Sequence, residues 1–150
     1  MKFLQILFAA AFLFTAATAG AQQTAPNAPA TPRQWTYKTP KIDRAAVDKH
    51  LANPGKVLIL DVRRPDELIK NGSFPVFLNI QLSELEKNLA YIPKDRAIII
   101  VSNRAWRGGA AGDQLSAKGF NVVGAAGSLD YEEQGGVIAR ITPPPPRPAR

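Results

Sequence analysis

Six consecutive residues could do chemistry: Ser102, Asn103, Arg104, Ala105, Trp106 and Arg107. They follow an apolar run at 97–101 and precede Gly108-Gly109, where a helical pattern begins. A turn at the carboxyl end of a strand is where open α/β sheets place ligands. The first turn of the next helix offers unpaired N–H groups, and its dipole favours an anion. The two glycines let the backbone bend towards a ligand. Arg104 and Arg107 add fixed positive charge that can grip an oxyanion at two points. Ser102 and Asn103 offer neutral hydrogen bonds, and Trp106 can form a rim or stack on a cation. The chemistry implied is capture of a small anion; the alternative is a loop whose arginines simply reach solvent. A serine nucleophile would need an adjacent base, and the loop carries no His, Asp or Glu.

The rest of the composition narrows the options. The chain has no Cys and one His, so disulfides, thiolate–zinc sites and a thiol nucleophile are excluded, and no metal or cofactor is expected. His50 falls in a helical pattern and reads as a solvated position. The net charge is +7, but the basic residues are scattered without a consecutive run. That pattern reads as a soluble surface with a basic tilt rather than a nucleic-acid interface.

The elements that must position the loop alternate. A helix is expected over 42–51, capped by Asp43 and stapled by Ile42 against Val47. The run "VLILDV" at 57–62 reads as a buried strand. A short helix at 66–70 and a short strand at 77–80 follow. Ser83 and Glu86 form a capping-box pattern for a helix to about 89. The most apolar stretch after the N-terminus, 97–101, is the expected central strand. A helix at 109–118 stops at Gly119, and a strand at 121–124 and a helix at 129–134 complete the pattern. Strands separated by helices of this length imply an α/β fold: one domain, a central mostly parallel sheet and helices on both faces.

The ends carry different signals. Residues 1–21 read as an export signal: Lys2, an apolar stretch at 4–14 interrupted by Gln5, then small residues with cleavage after Ala19 or Ala21. The stretch is short for a membrane anchor and lacks a basic flank until Arg33, so no stable span is expected after cleavage. A periplasmic or secreted location follows from that expectation. Residues 22–34 are a Pro/Ala-rich linker, 35–141 the folded domain, and 142–150 a Pro-rich tail able to dock a protein partner in an aromatic groove.

Four segments carry a family resemblance. They are "VLILDVRRPDEL" at 57–68, "GSFPVFLNIQLSEL" at 72–85, "AIIIVSNRAWRGGAAGDQLSAKGF" at 97–120 and "VVGAAGSLDYEEQGG" at 122–136. In that order and spacing, the chain from Ile42 to about Val137 resembles the rhodanese homology domain. This is the sulfurtransferase fold, which also hosts phosphatases and arsenate reductases. In that family a catalytic Cys precedes an Arg by four intervening residues and carries sulfur as a persulfide. Counting back from Arg107 puts Ser102 at the Cys position. Ser73 stands where the family usually has His and Val76 where it has Gly, with Tyr131 at an expected aromatic.

The resemblance therefore implies an exported member that has shed the thiol chemistry. It would serve as an anion- or partner-binding, regulatory module in sulfur-related metabolism, taking a small oxyanion or sulfur species. Asp61 and Arg63 would form a structural turn and ion pair beneath the pocket. The enzymatic alternative is a sulfurtransferase using a partner's thiol, or a phosphatase-like enzyme with Ser102 as nucleophile and Arg107 on the transition-state charge. A third possibility is interaction through the tail alone, with the pocket empty.

Overall fold

The strands at the centre of the molecule are the two runs of bulky apolar residues. The structure is a computed structural model, and it describes residues 33–143. The proposed export signal, the linker up to residue 32 and the tail from residue 144 lie outside the described residues. Strands β1 (Val57–Asp61) and β3 (Ala97–Ser102) lie side by side, flanked by β2 (Leu78–Asn79) and β4 (Val122–Gly127). All neighbours are parallel, in the order β2-β1-β3-β4. Leu60 sits opposite Leu78 on one side and Ile100 on the other, and Ile100 is opposite Ala125.

Uninterrupted apolar sequence is what a sheet covered on both faces requires. Side chains of Leu60, Ile98 and Ile100 pack with Ala111 and Leu115 of helix α3 (Trp106–Ala117) and with Leu85 and Ile92. Those of Ile59, Ile99 and Val101 point to the other face. There they meet Val47 of α1 (Arg44–Leu51), Phe74, Ile138 and Tyr131 of α4 (Ser128–Glu133). Each fully buried aliphatic residue contributes about 1.5–3 kcal/mol relative to exposure. The remaining helix, α2 (Pro65–Asn71), lies between β1 and β2 in sequence and buries Leu68.

The expected fold class matches this architecture, and several local boundaries move. Asp43 does cap α1, its side chain accepting from the Ala46 N–H. The expected helix from Ser83 is instead a pair of 3₁₀ segments, Leu82–Glu84 and Glu86–Tyr91, and Ser83 caps neither. Its bonds run three residues back, from Leu85 N to Leu82 O and from Ile92 N to Leu89 O. Asn88 has non-helical φ/ψ, and its side-chain amide takes the Glu84 carbonyl, competing with an α-helical ladder. Helix α3 begins at Trp106, three residues before the glycine-led start read from sequence.

The β4 strand runs to Gly127, further than expected, because its pairing with β3 continues as far as Ser102; its small residues also admit close neighbours. The arm at 35–42 uses that space. Ala125 donates to Pro40 O and accepts from Ile42 N, so the arm covers part of the β4 edge. Asp113 on α3 accepts from the backbone of Lys38 and Thr39 and from the Thr39 hydroxyl. A Cβ on Gly112 would lie 2.4 Å from Thr39 Oγ1, and one on Gly109 would lie 2.3 Å from the Tyr37 ring. Glycine on this face of α3 is what lets the arm lie flat.

Candidate functional site

The chain leaves β3 at Ser102 and enters α3 at Trp106, so the loop is short and held at both ends. Its reversal is made by Ala105, which is fully buried with φ 67°, a left-handed conformation rare for a residue with a Cβ. The Asn103 carbonyl accepts from Leu129 N, tying the loop to α4. The Ser102 side chain is buried, and its Oγ accepts from Gly108 N at 3.3 Å. Among the described residues, no imidazole or carboxylate is hydrogen-bonded to that hydroxyl.

Asp61 and Arg63 lie directly beneath, both fully buried. The guanidinium donates to Asp61, to Asn103 Oδ1 and Ser128 Oγ at 2.9 Å, and to Gly72 O at 2.8 Å. The Ser73 hydroxyl donates to Asp61 Oδ2 at 2.7 Å. Burying a charge is costly unless it is paired and hydrogen-bonded, and here every nitrogen of the guanidinium has an acceptor. The pair thus braces β1, β3, α2 and α4 from below.

The two loop arginines are committed elsewhere. Arg107 grips Glu67 of α2 through two bonds of 2.7 and 2.6 Å. Glu67 also accepts from the Asn103 amide at 2.8 Å and from Arg64 N at 3.2 Å. Arg104 turns towards α4, where it bonds Asp130 at 2.7 Å and Glu133 at 2.5 and 2.6 Å. Lys41 sits 2.8 Å from the other Asp130 oxygen. Trp106 stacks among the arm's rings, with centroids 5.2 Å from Trp35 and 6.3 Å from Tyr37. A recess of about 370 Å³ meets the loop at Arg107, lined also by Val62, Arg64, Gln81 and Ser83.

The structure therefore buries Ser102, Ala105, Asp61 and Arg63, and joins the loop to the Asp61–Arg63 pair through the half-buried Asn103. It places Arg107 at the rim and directs Arg104 and Trp106 away. Sequence reasoning did not single out Glu67, Asp130, Glu133 or Ser128. The one available signal was the acidic turn after Arg63, which contains Glu67. No group of three or more metal-ligating side chains occurs among the described residues.

The hydrogen bonds from Arg107 hold the Glu67 carboxyl well down, from 4.5 to about 2. A depressed carboxyl contributes stability that is complete above its unfolded value and lost as pH falls through its folded one. Between about pH 4.5 and 2, the protein is expected to lose roughly 1–2 kcal/mol through this group, solvent screening at Arg107 included. Glu67→Gln should flatten that part of the stability–pH curve, measured by denaturant unfolding at each pH.

A family model described as "Rhodanese-like domain" matches residues 43–130. No curated protein matches the chain. Among solved structures, a rhodanese-related protein from Thermoplasma volcanium is 29% identical, with a TM-score of 0.59 over 67% of this chain and 97% of that one. The reduced CoADR-RHD of Bacillus anthracis is 30% identical with a TM-score of 0.54, over 65% of this chain and 16% of that one. A rhodanese-like domain protein from Staphylococcus aureus is 22% identical with a TM-score of 0.57, over 67% and 98%, and supports the fold alone.

Proposed function

Because this chain belongs to the rhodanese-like domain family, we propose that it is a member without sulfurtransferase activity of its own. It acts as a binding or regulatory module in sulfur-related metabolism, exported to the periplasm or secreted. The observation that carries this reading is at Ser102. The chain has no thiol at all. The only group bonded to the Ser102 hydroxyl among the described residues is a backbone N–H, which cannot act as a base. An unactivated hydroxyl is a far weaker nucleophile than a thiolate. Export is supported by the pattern of residues 1–21, with which the lack of Cys is compatible. Its ligand is a small oxyanion or sulfur species at the loop, or a protein that engages the Pro-rich tail.

The purified protein is expected to give no thiosulfate-to-cyanide sulfur transfer above background. Ser102→Cys is expected to gain a persulfide. The new thiolate would attack the outer sulfur of thiosulfate, an S–S bond would form, and sulfite would leave with the bonding electrons. The Gly108 N–H would donate to the thiolate in place of the hydroxyl oxygen. Mass spectrometry should detect one added sulfur atom, removable by cyanide. Transfer by the unaltered protein at rates comparable to Ser102→Cys would overturn the reading.

A further inference from the structure

The Nη1–Nη2 edge of the Arg107 guanidinium, where an oxyanion can be held at two points, is filled by a carboxylate of the same chain. The two bonds to Glu67 are 2.7 and 2.6 Å, the geometry of bidentate oxyanion recognition. Glu67 is held there from a second side by the Asn103 amide and from a third by Arg64 N, and its side chain is only 15% exposed. Asn103 in turn accepts from the buried Arg63 and from Asn71. The charges around the loop are balanced throughout. Lys41, Arg63, Arg104 and Arg107 face Asp61, Glu67, Asp130 and Glu133. A free anion approaching this loop meets paired arginines and a carboxylate already in place.

We propose that Glu67 determines the ligand selectivity of the loop: it stands in for an oxyanion in the fork of Arg107, so a sulfate- or phosphate-like group binds only by exchange with it. This rests on the reading of the loop as a binding site and adds how that site is regulated. The unaltered protein binds small free anions only weakly, because each must first displace Glu67. A ligand or partner that draws Glu67 away from Arg107 opens the site to an oxyanion, and loosens α2 from the loop at the same time.

The test is calorimetric titration of sulfate and of phosphate into the full chain at constant ionic strength. Glu67→Gln keeps the side-chain length and a group able to accept from Arg64 N but removes the charge. It is expected to bind both ions at least about tenfold more tightly than the unaltered protein. Glu67→Gln combined with Arg107→Gln should return to the unaltered level. Glu67→Asp is one carbon shorter and cannot keep both bonds, so it should fall between the two. If Glu67→Gln fails to fold, tightening in Glu67→Asp decides the matter in favour. Equal affinity in the unaltered and substituted proteins overturns the proposal, as does a gain that survives loss of Arg107. Sulfur transfer is measured on the same preparations. Turnover by the unaltered protein would defeat the non-catalytic reading and leave the role of Glu67 standing.

Discussion

Replacing Arg63 with methionine is expected to destabilise the fold by about 3–5 kcal/mol, read as a shift of the urea midpoint at constant slope. The side chain is fully buried and so is its partner Asp61. Methionine fills much of the volume but leaves Asp61 charged with only the Ser73 hydroxyl and the Arg63 backbone N–H donating to its oxygens. It also removes the guanidinium donor from Gly72 O and Ser128 Oγ, and leaves Asn103 Oδ1 with the Asn71 amide alone. Arg63→Lys keeps the charge and should still cost much of this, because one ammonium cannot reach acceptors spread around a planar fork. Pairing Arg63→Met with Asp61→Asn should cost less than the two single changes added together. The second change removes the charge that the first leaves stranded. Simple additivity would mean that the pair is not the coupled brace described above.

Gly72→Ala carries the second large effect. Gly72 has φ 71° and ψ 177°, a region open in practice only to glycine. A Cβ there would lie 2.4 Å from Ala139 O and 2.8 Å from Ile138 Cγ2. The clash is with backbone, and that backbone is fixed by the reciprocal bonds between Ser73 and Ala139. A loss of about 3 kcal/mol or more is expected from strain and displaced contacts together. Hydrogen exchange should localise it, with the amides of Ser73 and Ala139 losing protection before those of β1 and β3. Unchanged protection at those two amides would contradict the account.

The parts of this architecture legible in the sequence are those governed by local pattern. The runs at 57–62 and 97–101 could hardly be anything but buried strands, and Asp43 announced its helix through a side chain that serves its own backbone. Gly119, with φ 78°, ends α3 as its position after the apolar pattern implies. What escaped depends on residues far apart in the chain. Glu67 and Arg107 are separated by 40 positions, and nothing in either neighbourhood says that they meet. The charge of Arg104 and Arg107 is legible in the sequence; their carboxylate partners are not, because only the fold brings them near. The 83–89 segment departs from its capping pattern for a different reason: the Asn88 amide donates to the Glu84 carbonyl, a local contest that the pattern does not reveal. Helix α3 starts earlier than its glycines imply because Ala105 adopts a backbone conformation that its side chain gives no reason to expect.

The strap at 35–42 has a consequence for how this chain can be divided. The stretch recognisable as rhodanese-like ends at 43 on one side and 130 on the other. Trp35, Tyr37 and Thr39, which cover the glycine face of α3, lie before it. Tyr131, whose ring is 4.8 Å from that of Phe74, lies just after it, and Ile138 and Ala139 lie further on. A fragment trimmed to the recognisable stretch would have its interior opened on two sides. A fragment meant to fold by itself is expected to need 35–42 and 131–139 as well as the stretch that the family model matches.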